Sequence, residues 1–187
     1  MKIQTPNFIL FPYTPLFRSS VDELQLNLFN SEFRRGALLI AGDQQNSNLM
    51  TVSWGFSGTM WNKPTWVAVV RPTRYSAGLL RMNKFFAINF LSSQYREQLA
   101  LCGTRSGRNL DKWAACGFSK MAGRTIPTPS IDCASLIIEC RILHEQKLDA
   151  SGFLLPEIES FYPQKDYHRM YFGEILHVEG VDAFHGE

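Results

Sequence analysis

The segment VVRPTRYSAG, residues 69–78, takes the chain from an apolar, β-favouring run into a helix-like stretch. Pro72 ends the strand, and Thr73 is predicted to cap the helix that follows. The first turn of a helix has unpaired N–H groups and partial positive charge, and two arginines add fixed cations. This junction therefore predicts a seat for an anion such as phosphate, with an ordinary solvated helix start as the alternative. The residues expected to form the seat are Arg71, Arg74, Tyr75 and Ser76.

Strand-like runs dominate the sequence on both sides of this junction, and several follow one another without a helix between them. That order favours an α+β, mainly β fold around an antiparallel sheet or small barrel, and it disfavours regular β-α-β alternation. No GxGxxG motif follows a strand. The predicted strands are 36–42, 48–58, 65–70, 84–91, 133–143 and 169–181, and the predicted helices are 73–83, 93–102 and 109–116.

Composition limits the class of protein. The chain has 187 residues, 45% of them hydrophobic and 19% charged, which predicts a single globular domain over 1–187. A net charge of +2 without a basic stripe argues against nucleic acid, and no run approaches the roughly 18 apolar residues of a membrane span. Residues 1–20 are interpreted as an N-terminal arm and 151–168 as a long ordered loop.

The four cysteines are interpreted as thiols in a reducing environment, which predicts a cytoplasmic protein. No two of them have CxxC spacing, and no histidine stands at a zinc-finger interval, so no metal site is expected. A disulfide framework is not expected in a chain of this size and core.

A second candidate anion seat lies in CGTRSGRNLDKW, residues 102–113. Its glycines allow the backbone to approach a ligand closely, and Arg105, Arg108 and Lys112 supply cations. Taken alone, a glycine-rich surface turn is the favoured interpretation, but two anion seats in one small chain support each other. The candidate ligand-binding residues here are Ser106, Gly107 and Lys112.

The strand-like run NLMTVSWGFSG, residues 48–58, separates bulky from small side chains. In a strand, Met50, Val52 and Trp54 face one way, and Thr51, Ser53 and Gly55 face the other. The small face is suited to a flat polar ring lying along the backbone, and a strand with one solvated face is the alternative.

Five stretches, in this order, resemble the flavin reductase-like family with the FMN-binding split-barrel fold, and its flavoredoxin-like branch in particular. The similarity covers about residues 36–180, and the ordered set of stretches is more specific than any one of them. The stretches are NLMTVSWG, VVRPTRYSAGLL, FFAINFL, CGTRSGRNLDKW and DYHRMYFGEI.

The resemblance implies an antiparallel Greek-key split barrel with short peripheral helices, and a homodimer with FMN near the subunit interface. The residues implied to face the phosphate are Arg71, Arg74, Tyr75 and Ser76, together with Ser106, Gly107 and Lys112 from a second loop of the same or the other subunit. The strand at 48–54 would contact the isoalloxazine through the candidates Asn48, Met50, Thr51, Val52, Ser53 and Trp54.

The function implied is an NAD(P)H-dependent flavin reductase, in which NADH or NADPH passes hydride to FMN N5 and electrons go on to an acceptor. His168 is the one candidate side chain for the flavin edge or the nicotinamide, and a local hydrogen bond is its alternative role. Three other interpretations remain open. They are a flavoredoxin-like electron carrier without its own NAD(P)H site, a non-catalytic split-barrel protein, and, more weakly, an oxidase of a phosphorylated vitamin.

Overall fold

A computed structural model describes residues 17–19, 21–24, 26, 36–181 and 184, and within them one antiparallel sheet organises the chain. The strands follow the order β3-β2-β6-β9-β10-β5-β4, and β1 pairs with the far end of β10. A separate two-stranded pair, β7 and β8, lies outside the sheet. The strands are β1 Phe17–Ser19, β2 Ala37–Gly42, β3 Ser47–Val52, β4 Gly55–Met60, β5 Lys63–Val70, β6 Phe85–Phe90, β7 Lys120–Met121, β8 Ser130–Ile131, β9 Leu136–Lys147 and β10 Arg169–Gly180.

The predicted α+β, mainly β antiparallel fold is confirmed, and the predicted strand boundaries differ most at 48–58. That run forms two strands, because the chain leaves the sheet at Ser53 and Trp54 and returns as β4. Trp54 therefore does not share a strand face with Met50 and Val52, which are both buried.

Among the described residues, three short α-helices pack on the sheet: α1 Tyr75–Asn83, α2 Arg96–Thr104 and α3 Lys112–Cys116. Helix α1 begins two residues later than predicted, because extended Arg74, not Thr73, occupies the N-cap position, and no side chain caps it. Helix α3 begins three residues later than the predicted 109–116, and Asp111 caps it. The Asp111 carboxylate accepts hydrogen bonds from two backbone N–H groups of the first turn.

Strand β2 is buried on both faces and divides the core into two clusters. Leu39 packs with the first cluster, which includes helix α1 and the bulky residues Trp66 and Tyr171. Leu38 and Ile40 pack with the second cluster, which includes α2 and α3. Because successive side chains of a strand point to opposite faces, the apolar run of β2 contributes to both clusters, and α1, α2 and α3 pack against it through them.

The predicted loop at 151–168 contains two short 3₁₀ helices, Ala150–Gly152 and Pro156–Phe161. It returns to the sheet next to Arg71, at the end of β5. Of the predicted arm at 1–20, only residues 17–19 fall within the described part of the chain. None of the described helices is long and apolar enough to cross a membrane.

Candidate functional site

Residues from both predicted anion seats, Arg74 and Tyr75 from the first and Ser106, Gly107 and Lys112 from the second, line one cavity of about 270 Å³, here called the cationic cavity. The segment between β5 and α1, with the first residue of α1, forms one wall, the end of α2 and the loop after it form another, and β3 lies between them. Two stretches that are separated in the sequence thus meet at one place. The lining residues are Asn48, Met50, Thr73, Arg74, Tyr75, Cys102, Gly103, Thr104, Arg105, Ser106, Gly107, Arg108 and Lys112.

Asn48 connects β3 to the first turn of α1 and to the loop after α2 at this cavity. Its side-chain nitrogen donates a 2.8 Å hydrogen bond to the hydroxyl of fully buried Ser76. Gly107 packs directly against it, since a Cβ on Gly107 would lie 2.0 Å from Asn48 Oδ1 and 2.9 Å from the Tyr75 ring. The hydroxyl of Ser76 therefore positions Asn48 in this structure, and Gly107 is required for the close packing.

Lys112 is the buried cation of the site, with only 3% of the residue exposed. Its ammonium group donates 2.8 Å hydrogen bonds to the carbonyls of Leu49 and Cys102, and so ties β3 to α2. Burial lowers the pKa of Lys112 from its ordinary value. An ammonium group has three donors, so one remains beyond these two bonds for a ligand in the cavity.

Three further cations, Arg74, Arg105 and Arg108, line the cavity without an ion pair to any described carboxylate. Arg108 donates to the Thr73 carbonyl at 3.1 Å, and its guanidinium lies 5.8 Å from the centre of the Tyr75 ring. No aspartate or glutamate is among the described lining residues. Cations, hydroxyls and backbone N–H groups without a competing carboxylate suit an anionic ligand.

Arg71, in contrast, does not line the cationic cavity. Its guanidinium donates to Asp166 at 2.6 Å and to the Phe161 carbonyl at 2.7 Å, and it lies 5.1 Å from the centre of the Tyr162 ring. Arg71 therefore fixes the 3₁₀ segment and the loop after it against the end of β5. It also helps to line a smaller cavity of about 200 Å³ with Ser53, Trp54, Val69 and His168.

His168 is 8% exposed at this smaller cavity. Its Nδ1 shares a 2.9 Å hydrogen bond with the Tyr162 hydroxyl, and its ring lies 4.8 Å from that of Trp54. Burial, with the nearby Arg71 cation, lowers the pKa of His168 to about 4. The imidazole is thus neutral at pH 7 and available for hydrogen bonding to a ring edge.

We expect His168 to make folding stability depend on pH. The unfolded histidine takes up a proton near pH 6.5 and the folded one only near 4, so stability falls as the pH drops through this window. The loss from this group approaches about 3 kcal/mol at pH 4. Urea unfolding from pH 7 to 4 should show a shallower pH dependence for His168→Asn than for the unchanged protein. An unchanged slope would contradict the prediction, and exposed His144→Asn serves as the control.

The remaining predicted residues have structural positions. Met50 and Val52 belong to the core cluster next to α1, and the Thr51 hydroxyl donates to the Leu99 carbonyl at 2.6 Å. Sequence reasoning named Arg108 as a cation but left it out of the candidate ligands, and it missed Tyr162 and Asp166 entirely. The signal available for the last two was the aromatic, proline-containing composition of 151–168.

The fold and the cavity arrangement define the chain as a split-barrel protein with a cationic site beside the central strands. The family model of the flavin reductase like domain matches residues 30–186, and the chain belongs to that family. No curated protein matches the sequence.

Three solved structures have the same fold at low sequence identity. Flavoredoxin of Desulfovibrio vulgaris (Miyazaki F) has 19% identity over 98% of this chain and 78% of its own, with a TM-score of 0.62. Flavoredoxin from Methanosarcina acetivorans has 21% identity over 97% and 77%, with a TM-score of 0.61. The FMN-binding protein from Thermus thermophilus with bound p-hydroxybenzaldehyde has 17% identity over 98% and 82%, with a TM-score of 0.63.

Proposed function

We propose that the chain is an FMN-binding flavin reductase that takes electrons from NADH or NADPH. The observation that carries the proposal is that residues of both predicted anion seats meet in one cavity beside β3, with no carboxylate among its described lining residues. The family match and the FMN-binding relative from Thermus thermophilus support the choice of FMN as the ligand.

The residues of the cationic cavity suit the phosphate of FMN by their chemistry. Arg74 and Arg108 supply guanidinium donors, Lys112 supplies one ammonium donor, and Ser106 supplies a hydroxyl. The small residues of the loop allow the backbone to approach the ligand closely, and the Tyr75 side chain lines the same cavity. A bound flavin supplies hydride acceptance and onward electron transfer, so the site requires no catalytic triad or carboxylate pair.

The smaller cavity is proposed to serve the ring end of the flavin or the nicotinamide. His168, neutral at pH 7, offers a hydrogen-bonding edge there, and Trp54 offers an aromatic face that is 44% exposed. Arg71 holds the loop that carries His168 in place through its bond to Asp166. The residues of this cavity would therefore orient the ring and exclude water from it.

We also propose a cytoplasmic homodimer of single-domain subunits. Strand β4 pairs with β5 and with no other described strand, and it carries exposed apolar side chains. Phe56 on β4 and Trp61 in the turn after it, each about half exposed, form an apolar edge suited to a second copy of the chain. Size-exclusion chromatography with light scattering would test this, and a monomer at micromolar concentration would contradict it.

The experiment that tests the function is a visible spectrum of the purified protein, with and without added FMN, followed by anaerobic NADH and NADPH. A flavin spectrum that bleaches with either nucleotide is the expected result. A flavin spectrum that persists after both nucleotides would contradict the reductase and indicate an electron carrier that is reduced by another donor. A protein that takes up no flavin would overturn the proposal.

Arg74→Ala should weaken FMN binding more than riboflavin binding, because riboflavin lacks the phosphate. A charge-assisted contact of this kind contributes about 1.5–3 kcal/mol, which corresponds to roughly tenfold or more in the dissociation constant. Fluorescence titration of the apoprotein with both flavins measures the difference. Arg141→Ala, an exposed arginine on β9 that is paired with Glu174, is the control. Equal losses for both flavins would contradict the assignment.

A further inference from the structure

A second cavity, of about 410 Å³, lies on the outer side of helix α1 and is called the arginine pocket. Four arginines line it, one before α1, one on α1, one in the loop after α2 and one at the start of β10. Its volume is within the range of about 300–1,000 Å³ that is usual for small-molecule sites. The four are Arg74, Arg81, Arg108 and Arg169.

The positive charge of this pocket is only partly neutralised. Glu145 forms a close ion pair with Arg169 and lies 3.9 Å from Arg81, a long distance for an ion pair. Arg74 and Arg108 have no ion pair with any described carboxylate, and no acidic residue is among the described lining residues. Among the described residues, Glu145 is thus the one carboxylate that pairs with any of these four arginines, so a bound anion would meet a net positive field.

Apart from Asn46, the rest of the lining is apolar or aromatic. The Tyr75 ring packs near the Arg108 guanidinium, and Met82 is 76% exposed at the rim although it is apolar. Pro72 and Gly78 add a surface without polar side chains. Aromatic rings, guanidinium planes and methionine are the groups on which proteins stack nucleobases. The pocket therefore combines an anion-binding side with a surface for a flat ring.

The arginine pocket adjoins the cationic cavity, since Arg74, Tyr75 and Arg108 line both. A ligand whose phosphate lies in the cationic cavity would find the second pocket directly beyond these three residues. In a dinucleotide, a second phosphate that carries an adenosine is joined directly to a phosphate of this kind.

We propose that the arginine pocket binds a phosphorylated adenosine, the half that FAD and NADPH share. The position of the pocket next to a flavin phosphate rests on the proposed function, but binding of the adenosine phosphate itself does not. Arg81 lines the arginine pocket and not the cationic cavity, so a substitution of Arg81 tests the arginine pocket alone.

Calorimetric titration of the purified protein with ADP, with and without added FMN, tests the proposal. ADP should bind, adenosine should bind more weakly, and Arg81→Ala should weaken ADP binding by roughly fivefold or more. Arg141→Ala is the matched control, because Arg81 and Arg141 are both largely exposed and both interact with a partly buried glutamate that has a second cationic partner. No ADP binding, or equal losses in the two variants, would overturn the proposal.

Two further arms identify the source of the adenosine phosphate. If it belongs to FAD, Arg81→Ala should weaken FAD binding to the apoprotein and leave FMN binding unchanged. If it belongs to NADPH, the variant should raise the KM for NADPH while the kcat is retained. A protein that binds ADP through Arg81 but never binds a flavin would support this pocket and overturn the flavin function, so the two failures are distinguishable.

Discussion

Gly107→Ala should lower the affinity for FMN by roughly 10- to 100-fold, although it adds a single methyl group. The new Cβ would lie 2.0 Å from Asn48 Oδ1, 2.7 Å from Asn48 Cγ and 2.9 Å from the Tyr75 ring. Asn48 must move, and its 2.8 Å bond to the buried Ser76 hydroxyl then breaks. Overpacking of this kind costs about 1–3 kcal/mol. Because Asn48 and Tyr75 both line the cationic cavity, moving them alters the surface proposed to contact the flavin, which is why affinity should fall.

Gly103→Ala is the matched control for this substitution. Gly103 lines the same cavity, but a Cβ there would make only an ordinary 3.4 Å contact with the Thr51 side chain. Its position near the end of α2 also favours alanine over glycine. Flavin titrations of both variants, with their thermal unfolding, provide the comparison. If Gly107→Ala binds FMN as Gly103→Ala does, the loop does not form the wall of a flavin site.

The fold was predictable because its decisive signals are local. The apolar run at 36–42 and the runs around it carry the strand pattern on their own. The run at 36–42 lies within one residue of the observed β2. The exception is 48–58, where composition is uniformly β-favouring and conceals the break at Ser53 and Trp54. The break depends on where β4 pairs with β5, a tertiary interaction that strand propensity does not encode.

The candidate site was predictable in its residue types but not in its pairings. The cations and glycines of 102–113 are visible in the sequence, but their position in one cavity with Arg74 is visible only in the structure. The partner of Arg71 was not predictable, because Asp166 is 95 residues away and lies in a loop without a periodic pattern. In the same way, nothing local distinguishes buried Lys112 from an exposed lysine at the start of a helix.

Lys112→Met should lower the free energy of unfolding by about 2–4 kcal/mol and also weaken FMN binding. Methionine fills a similar volume but cannot donate, so the carbonyls of Leu49 and Cys102 lose their 2.8 Å partners. Each buried acceptor left without a hydrogen bond costs about 1–3 kcal/mol. Part of this loss in free energy is offset, because burying the ammonium group was itself unfavourable. The lowered pKa of Lys112 indicates that cost.

Lys120→Met separates the buried role from the general effect of losing a lysine. Lys120 also donates a 2.8 Å bond to a backbone carbonyl, that of Gln44, but it is exposed, so water replaces the lost donor. Urea unfolding should show a change below about 1 kcal/mol for this control. The flavin effect is measured at low temperature, where both variants are folded, with FMN against riboflavin. If Lys112→Met is as stable as Lys120→Met, the bridge between β3 and α2 is not what holds the cavity open. If it is unstable but binds both flavins equally well, the third donor of Lys112 does not reach the phosphate.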